Sequence, residues 1–252
     1  MKKTESRGTR LDKALVDRGL VPSRTRAVAL IEEGGVRVGK EVVTEKDFLV
    51  SEKDLVALLK HDLRWVSRAG LKLEHALEHW HIDPKGKVAL DIGASTGGFT
   101  DVLLARGAKK IYALDVGRGQ LAPKLQANKK VVNMEGVHIK DARREDFKGP
   151  LDMIVVDVSF ISLEKVIPAI KELLREEGVL IALIKPQFEV GKKDVKKGIV
   201  TDPKLHSQVA MRIEGFVALA GFDVEGVIAS PILGGSGNKE FLLYAINKLG
   251  VA

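Results

Sequence analysis

The sequence contains no cysteine, which excludes disulfides, thiolate metal sites and a cysteine nucleophile. It also lacks any run approaching the roughly 18 uncharged apolar residues that a membrane-spanning helix needs. Lysines near the amino terminus have no apolar segment behind them, so we expect no secretory signal. Together these absences predict a cytoplasmic protein that does not associate with membranes.

The composition is that of a globular protein with a basic excess. Its 252 residues suit one or two domains, and 45% hydrophobic with 30% charged residues can build a sizeable core. The formal net charge is +7 and the isoelectric point is near 9.4, which favours an anionic partner such as nucleic acid. The histidines show no ligand spacing beyond the i,i+4 pair of His75 and His79, so we expect no metal site.

A glycine-rich stretch organises the middle of the chain. The segment VALDIGASTGGFT predicts a strand, a tight turn and the start of a helix, which is the first unit of an open parallel sheet. Gly93, Gly97 and Gly98 follow the spacing G-x-x-x-G-G instead of G-x-G-x-x-G, so a nucleotide-dependent oxidoreductase is the weaker interpretation. The next predicted strand ends in Asp115, 24 residues after Asp91, where a carboxylate suits hydrogen bonds to ribose hydroxyls.

The first sixty-odd residues predict two helices followed by a hairpin. Thr9 is the expected cap of the first helix and Gly19 its end, while Ser23 is the expected cap of the second. A hairpin turn is predicted at Gly39–Lys40, and the segment DLVALL adds a strand. This order, with basic residues interspersed, resembles the S4-like RNA-binding domain. The alternative is that the basic residues belong to ordinary solvated helix faces.

The rest of the chain alternates predicted strands and helices, a pattern typical of an α/β sheet. One strongly apolar strand ends in Asp157 and another in Lys185, since buried strands tolerate a charge only at their ends. The last strand starts near Glu240 without a preceding helix and is therefore expected to be antiparallel. Lys72 lies in the first turn of a helix, where the helix dipole disfavours a cation unless it serves a site. The basic segment FEVGKKDVKKGIVTDPK is expected to be a mobile lid.

Six motifs, all in one order, carry a resemblance that covers nearly the whole chain: RLDKALVDRGL, WVSRAGLKL, DIGASTGGFTDVLL, DVSFISL, LIKPQFE and GNKEFLL. With them the chain resembles the TlyA (hemolysin A) family. The resemblance implies an α/β fold, a seven-stranded Rossmann-like methyltransferase sheet with a small N-terminal α+β RNA-binding domain. It implies an S4-like domain at 1–62, an interdomain linker at 63–66 and an FtsJ-like methyltransferase domain at 67–252 that depends on S-adenosyl-L-methionine (SAM).

The same resemblance implies methylation of the ribose 2′-hydroxyl of cytidines in ribosomal RNA. SAM is then the cofactor, ribosomal RNA or a ribosomal subunit is the partner, and no metal is required. The oligomeric state is left open by the sequence, with a monomer favoured. The family's Lys-Asp-Lys-Glu tetrad falls on Lys72, Asp157, Lys185 and Glu240. The predicted cofactor-binding residues are Asp91, Gly93, Ala94, Ser95, Thr96, Gly97, Gly98, Phe99, Asp115, Val116, Asp141, Ala142 and Asp157. The predicted RNA-binding residues are Arg7, Arg10, Lys13, Arg24, Arg26, Arg37, Lys40, Arg68, Lys192 and Lys193.

The chemistry explains why such a tetrad is needed. A ribose hydroxyl is a poor nucleophile, so its proton must leave as the methyl group is transferred. Lys185 can serve as a general base if its surroundings favour the neutral amine, or as an ammonium group that stabilises the developing alkoxide. Asp157 and Glu240 would orient the two amines. Two further interpretations stay open: a non-catalytic RNA-binding factor of ribosome assembly, and a haemolysin.

Overall fold

The structure, a computed structural model, describes residues 8–21, 23–32, 34–59, 65–196, 198–234 and 237–248. The chain divides into two compact units, Met1–Arg68 and Ala69–Ala252. The predicted linker at 63–66 lies partly outside the described residues, and the predicted domain boundaries stay a prediction.

The first unit packs two helices against short strands. Leu11 and Leu15 of the first helix and Ile31 of the second are fully buried in its core. The predicted hairpin is confirmed, because Val38 pairs with Glu41 across the turn. The elements are β1 (Thr9–Arg10), α1 (Leu11–Asp17), α2 (Arg24–Glu32), β2 (Val36–Val38), β3 (Glu41–Val42), β4 (Leu49–Val50) and β5 (Val56–Leu58).

The predicted cap of the first helix is wrong. Thr9 lies in β1 and pairs with Val50 of β4, so α1 begins only at Leu11. A two-residue strand is too short to show the alternation by which strands are predicted from sequence. Ser23 does cap α2, where its Oγ accepts a hydrogen bond from the Arg26 backbone N–H at 3.3 Å.

The second unit is a seven-stranded sheet covered by helices. Its strand order is β11-β12-β10-β9-β6-β7-β8. The last strand, β12, lies between β10 and β11 and is antiparallel to both, which confirms the prediction. The elements are α3 (Ala69–His79), β6 (Val88–Ile92), α4 (Gly98–Ala105), β7 (Lys110–Asp115), α5 (Pro123–Gln126), β8 (Val131–Glu135), β9 (Leu151–Val156), α6 (Ile167–Leu173), β10 (Leu174–Ile184), α7 (Pro186–Glu189), α8 (Pro203–Leu219), β11 (Phe222–Ala229) and β12 (Phe241–Asn247).

The central strands are apolar on both faces because helices cover both sides of the sheet. Strands β6, β7, β9 and β10 run parallel, so their carboxyl ends meet at one edge. The register pairs Ala182 with Val156 and Ile184 with Phe241. It therefore brings the residues just after β9 and β10 beside those just before β12. The charged residues predicted at the strand ends are placed together by this register.

Helix α3 covers one face with Leu73, Ala76 and Leu77, all buried. Leu71 and Trp80, at either end of this segment, are only half-buried. Because Lys72 lies on the buried side of α3 with 5% exposure, it is not a solvated surface lysine.

Candidate active site at the carboxyl edge of the sheet

The glycine turn after β6 has a steric reason for two of its glycines. Gly93 has φ +82°, and a Cβ there would lie 2.5 Å from the Asp157 carbonyl oxygen. Gly97 has φ +94°, and a Cβ there would overlap the side chains of Leu121 and Leu125. A larger residue would strain the backbone at either position; at Gly93 it would press on the backbone that follows β9, and at Gly97 it would displace the two leucine side chains. These glycines let the turn lie close against the edge of the sheet.

A cavity of about 990 Å³ opens at this edge. Of the predicted cofactor-binding residues, five contribute to its wall: Gly93, Ser95, Asp115, Val116 and Asp157. The sequence analysis did not identify several others that line it, among them Gln120, His138, Lys140, Phe160, Lys165 and Phe188.

Asp115 and Glu135 organise the loop that borders this cavity. The two carboxylate oxygens of Asp115 accept the backbone N–H groups of Ser95 at 2.8 Å and Gly117 at 2.7 Å. Glu135 accepts those of Gln120 at 2.6 Å and Leu121 at 3.0 Å. Hydrogen bonds, the largest from the Asn133 side chain, lower the pKa of Glu135 to about 2. The two carboxylates thereby hold the loop in one conformation.

Asp91 lies beneath the turn and is fully buried. Its Oδ2 accepts the Thr100 hydroxyl at 2.6 Å, while its Oδ1 has no hydrogen-bond partner among the described residues. Burial, with a smaller contribution from nearby Asp157, raises the pKa of Asp91 to about 7. A buried oxygen without a partner is uncommon in folded proteins, and Asp91 is not among the residues that line the cavity.

The remaining predicted cofactor residues lie behind or beside the cavity. Among the residues described, its lining does not include Ala94, Thr96, Gly97, Gly98, Phe99, Asp141 or Ala142. Ile139 and Lys140 line it in place of Asp141 and Ala142, which follow directly in the chain. Their roles in cofactor binding stay a prediction.

The predicted tetrad forms two buried ion pairs, of which the first joins Lys72 to Glu240. The Lys72 Nζ lies 2.5 Å from the Glu240 Oε2, and the side chains are 6% and 2% exposed. Gln187 Nε2 donates to Glu240 Oε1 at 3.5 Å. A Cβ on Gly234 would lie 3.0 Å from Glu240 Oε2 and closer still to its Oε1 and Cδ. Lys72, Gln187 and Gly234 therefore all lie against the Glu240 carboxylate, which leaves it little room to move.

The second ion pair joins Lys185 to Asp157. The Lys185 Nζ lies 2.6 Å from the Asp157 Oδ1, an ion-pair contact whose angles do not meet those of a hydrogen bond. The same Nζ donates a hydrogen bond to the Ser159 Oγ at 3.0 Å. The Phe188 ring centroid is 5.9 Å from the same Nζ. Asp157 lines the cavity, so this pair is the one that borders it. Because β10 lies between β9 and β12, the two pairs are neighbours along the sheet edge.

An exposed aromatic residue stands beside this second pair. Phe160 is 90% exposed and has φ +64°, an unfavourable conformation for a bulky residue. Its ring centroid lies 4.9 Å from that of Phe188. The signal that could have found it is the aromatic residue three positions after Asp157 in DVSF.

Glu189, also absent from the sequence prediction, connects the loop after β9 to the helix after β10. It accepts the Ser162 hydroxyl at 2.7 Å and the Leu163 backbone N–H at 2.9 Å. Burial raises the pKa of Glu189. The loops that follow Asp157 and Lys185 are thereby tied together.

The predicted RNA-binding residues occupy different settings in the structure. Arg10 and Arg24 both pair with Asp12, and Arg26 donates to the Val66 carbonyl at 3.0 Å. Lys13, Arg37, Lys40 and Lys193 are exposed, and Arg68 is half-buried. Arg7 and the side chain of Lys192 lie outside the described residues.

The described residues contain no group of three His, Asp or Glu side chains that could hold a metal ion. In the same part of the chain, no helix has the length and apolarity to cross a membrane.

Comparison with known families matches both units. The FtsJ-like methyltransferase family matches residues 65–246, and the S4 domain family matches residues 9–56.

The similarity to individual relatives covers most of the chain. It is 46% identical to a Bacillus subtilis protein provisionally named rRNA methyltransferase YqxC, over 95% of this chain and 86% of that protein. It is 41% identical to the 16S/23S rRNA (cytidine-2′-O)-methyltransferase TlyA of Mycobacterium tuberculosis, over 95% of this chain and 90% of that protein. A solved Streptococcus thermophilus structure, provisionally named hemolysin, superposes with a TM-score of 0.78 at 38% identity, covering 96% of this chain and 89% of that one.

Proposed function

Because the chain belongs to the FtsJ-like methyltransferase family and carries an S4 domain at its front, we propose that it methylates the 2′-hydroxyl of a cytidine ribose in ribosomal RNA, with SAM as the methyl donor. The observation that carries the proposal is the presence of two buried lysine–carboxylate pairs at the carboxyl edge of the sheet, of which Lys185–Asp157 borders the cavity. The named activity of the Mycobacterium tuberculosis relative supports the choice of substrate.

The residues around the cavity fit SAM. The volume of the cavity, about 990 Å³, is at the upper end of the range of small-molecule sites. Gly93 lines the cavity while its turn lies close against the Asp157 backbone, and each Asp115 oxygen keeps a second lone pair for a ribose hydroxyl. When bound, SAM supplies a methyl group on a positively charged sulfur, which makes that group transferable.

The protein must align the 2′-oxygen and manage its proton. In the reaction the carbon–sulfur bond breaks, the carbon–oxygen bond forms and the hydroxyl proton leaves. Asp157 and Ser159 hold the Lys185 amine at the cavity. A neutral Lys185 amine would accept the hydroxyl proton, whereas a Lys185 ammonium ion would stabilise the oxyanion. Lys72 and Glu240 form the adjacent, more deeply buried pair.

The two buried pairs favour an enzyme over a non-catalytic RNA-binding factor. Removing two charges from water costs several kcal/mol per ion, and a hydrophobic pair of similar volume is often as stable. Keeping four buried charged groups together at the carboxyl edge of the sheet is therefore expected where chemistry uses them. A ribosomal RNA substrate would place the protein in the cytoplasm. We retain a monomer with domains at 1–62 and 67–252 as part of the proposal.

The test is methyl transfer from labelled SAM to purified ribosomal RNA. We expect label on a ribose, and we expect Lys185→Ala to lower the rate by about 100-fold or more. Lys204→Ala, which removes an exposed lysine on α8, is the matched control and should leave the rate unchanged. Label on a base, or an unaffected Lys185→Ala variant, would contradict the proposal.

Lys185→Arg separates the two roles of Lys185. Arginine keeps the positive charge but does not release its proton in proteins. A variant that retains a substantial part of the rate supports charge stabilisation. A variant as inactive as Lys185→Ala supports proton abstraction, provided that its SAM affinity is unchanged.

A further inference from the structure

A buried carboxylate in the first unit holds two of the predicted RNA-binding arginines together. Asp12 of α1 is 1% exposed. Arg10 contacts it through Nε to Oδ1 and Nη2 to Oδ2, both at 3.2 Å. Arg24 at the start of α2 contacts Oδ2 through its Nε and Nη2, both at 3.0 Å. The backbone N–H of Lys13 completes the set with a hydrogen bond to Oδ1 at 2.8 Å. One carboxylate thus joins two guanidinium groups from different elements.

The arrangement leaves both guanidinium groups able to bind a further anion. Each guanidinium carries five N–H donors, and the contacts with Asp12 use two of the five nitrogen-bound hydrogens on each. The Arg10 and Arg24 side chains remain 42% and 63% exposed although Asp12 is buried. Burial acts to raise the pKa of Asp12, but hydrogen bonds from Arg10 and Arg24 outweigh it and lower that pKa. The carboxylate therefore stays charged and keeps the two cations near each other.

We propose that Asp12 is a positioning residue that aligns Arg10 and Arg24 into one phosphate-binding site for a phosphodiester group of folded ribosomal RNA. This inference rests on the proposed function, because it assumes that the first unit binds RNA. A planar guanidinium matches a phosphate group bidentately, and two of them held in place reduce the side-chain entropy that is lost on binding. Arg26, also predicted to bind RNA, donates a hydrogen bond to the Val66 carbonyl.

The substitution Asp12→Asn changes the RNA affinity in opposite directions depending on whether Asp12 acts through its charge or by positioning the arginines. If Asp12 acted only through its charge, Asp12→Asn would remove a negative charge near RNA and tighten binding. If Asp12 aligns the arginines, the same change releases them and weakens binding. Asp17→Asn on the same helix makes the same charge change at an exposed carboxylate, so it is the matched control.

The experiment measures binding of the full chain to purified 16S and 23S ribosomal RNA, each alone, between about 50 and 200 mM salt. We expect Asp12→Asn to bind about tenfold more weakly, the effect of two side chains that must be immobilised again. The slope of log affinity against log salt should fall in magnitude by about one, as for one lost phosphate contact. Asp17→Asn should bind as well as the unaltered chain or slightly better.

A second variant keeps the test valid if Asp12→Asn disturbs folding. Arg10→Lys with Arg24→Lys preserves both charges and an ion pair to Asp12, but it removes the planar forks. We expect an unchanged melting temperature and a similar loss of affinity. The inference is overturned if both variants bind RNA like the Asp17→Asn control. If the unaltered chain shows no salt-dependent binding, the proposed RNA-binding role itself fails.

Discussion

Gly234 is predicted to be essential because of the space that it leaves for Glu240. A Cβ at Gly234 would lie 3.0 Å from the Glu240 Oε2 and closer to its Oε1 and Cδ. Nonbonded heavy atoms settle at about 3.5 Å, so the carboxylate would have to retreat by more than about 1 Å. It cannot do so without breaking its 2.5 Å contact with Lys72, which is itself buried. Gly234→Ala should therefore displace one member of the candidate tetrad.

The expected loss is large for activity and smaller for stability. A displacement of about 1 Å at a reacting centre can lower a rate about 100-fold. Breaking a buried ion pair outright costs about 3–5 kcal/mol, an upper limit here because Glu240 and Lys72 are both retained. We expect kcat for methyl transfer to fall about 100-fold while the protein still folds, with a lower melting temperature.

The assay is single-turnover methyl transfer at saturating SAM and RNA, together with thermal unfolding. Gly215→Ala is the control, because a Cβ at that helical position of α8 meets no atom within 4 Å. It should preserve activity and raise stability by about 0.5–1 kcal/mol. Gly234→Ala with a rate within twofold of the unaltered protein would refute the reasoning about Glu240.

Two further predictions concern Phe160 and Asp91. Phe160→Ala should raise the KM for RNA about tenfold and leave the SAM affinity unchanged, since stacking of a base on an exposed aromatic ring contributes about 1–3 kcal/mol. The control is Leu219→Ala, which truncates an exposed side chain on α8; an equal effect of both variants would contradict a stacking role. The pKa of Asp91, raised to about 7, means that the folded protein holds a proton which the unfolded chain releases above its ordinary pKa of 3.8. Its contribution to stability is therefore complete below about pH 4 and is lost as the pH rises through 7, by up to about 4 kcal/mol. Asp91→Asn removes this pH-dependent contribution. Denaturant titration should therefore show that the unfolding free energy of the variant, relative to that of the unaltered protein, is higher at pH 8 than at pH 5. A difference that does not depend on pH would contradict the assignment.

Features with local sequence patterns were predicted well. The glycine turn, the antiparallel last strand and the α/β class are all present in the structure. They are predictable because strand alternation, glycine spacing and the absence of a crossover helix depend on neighbouring residues. Local patterns drew attention to Lys72, Asp157 and Lys185 one by one, and the family resemblance grouped them with Glu240 as a tetrad.

Contacts between distant residues were not predictable from pattern. Asp12 looks in sequence like one more polar residue of an amphipathic helix, yet it is buried between two arginines. The GGSGN segment reads as a flexible turn, but Gly234 in it makes room for a carboxylate. Glu189 joins two loops through contacts with Ser162 and Leu163. In each case the deciding partner comes from another part of the chain.

The sequence by itself determined the order of the strands and helices, the location of the glycine turn and the charged residues that end the buried strands. Tertiary structure alone decided which amine meets which carboxylate. Lys72 pairs with Glu240, 168 positions away, and Lys185 pairs with Asp157. The physical reason is that an ion pair requires an approach of a few ångströms. The register of β9, β10 and β12 brings the strand ends with Asp157, Lys185 and Glu240 together, and the packing of α3 against β12 adds Lys72.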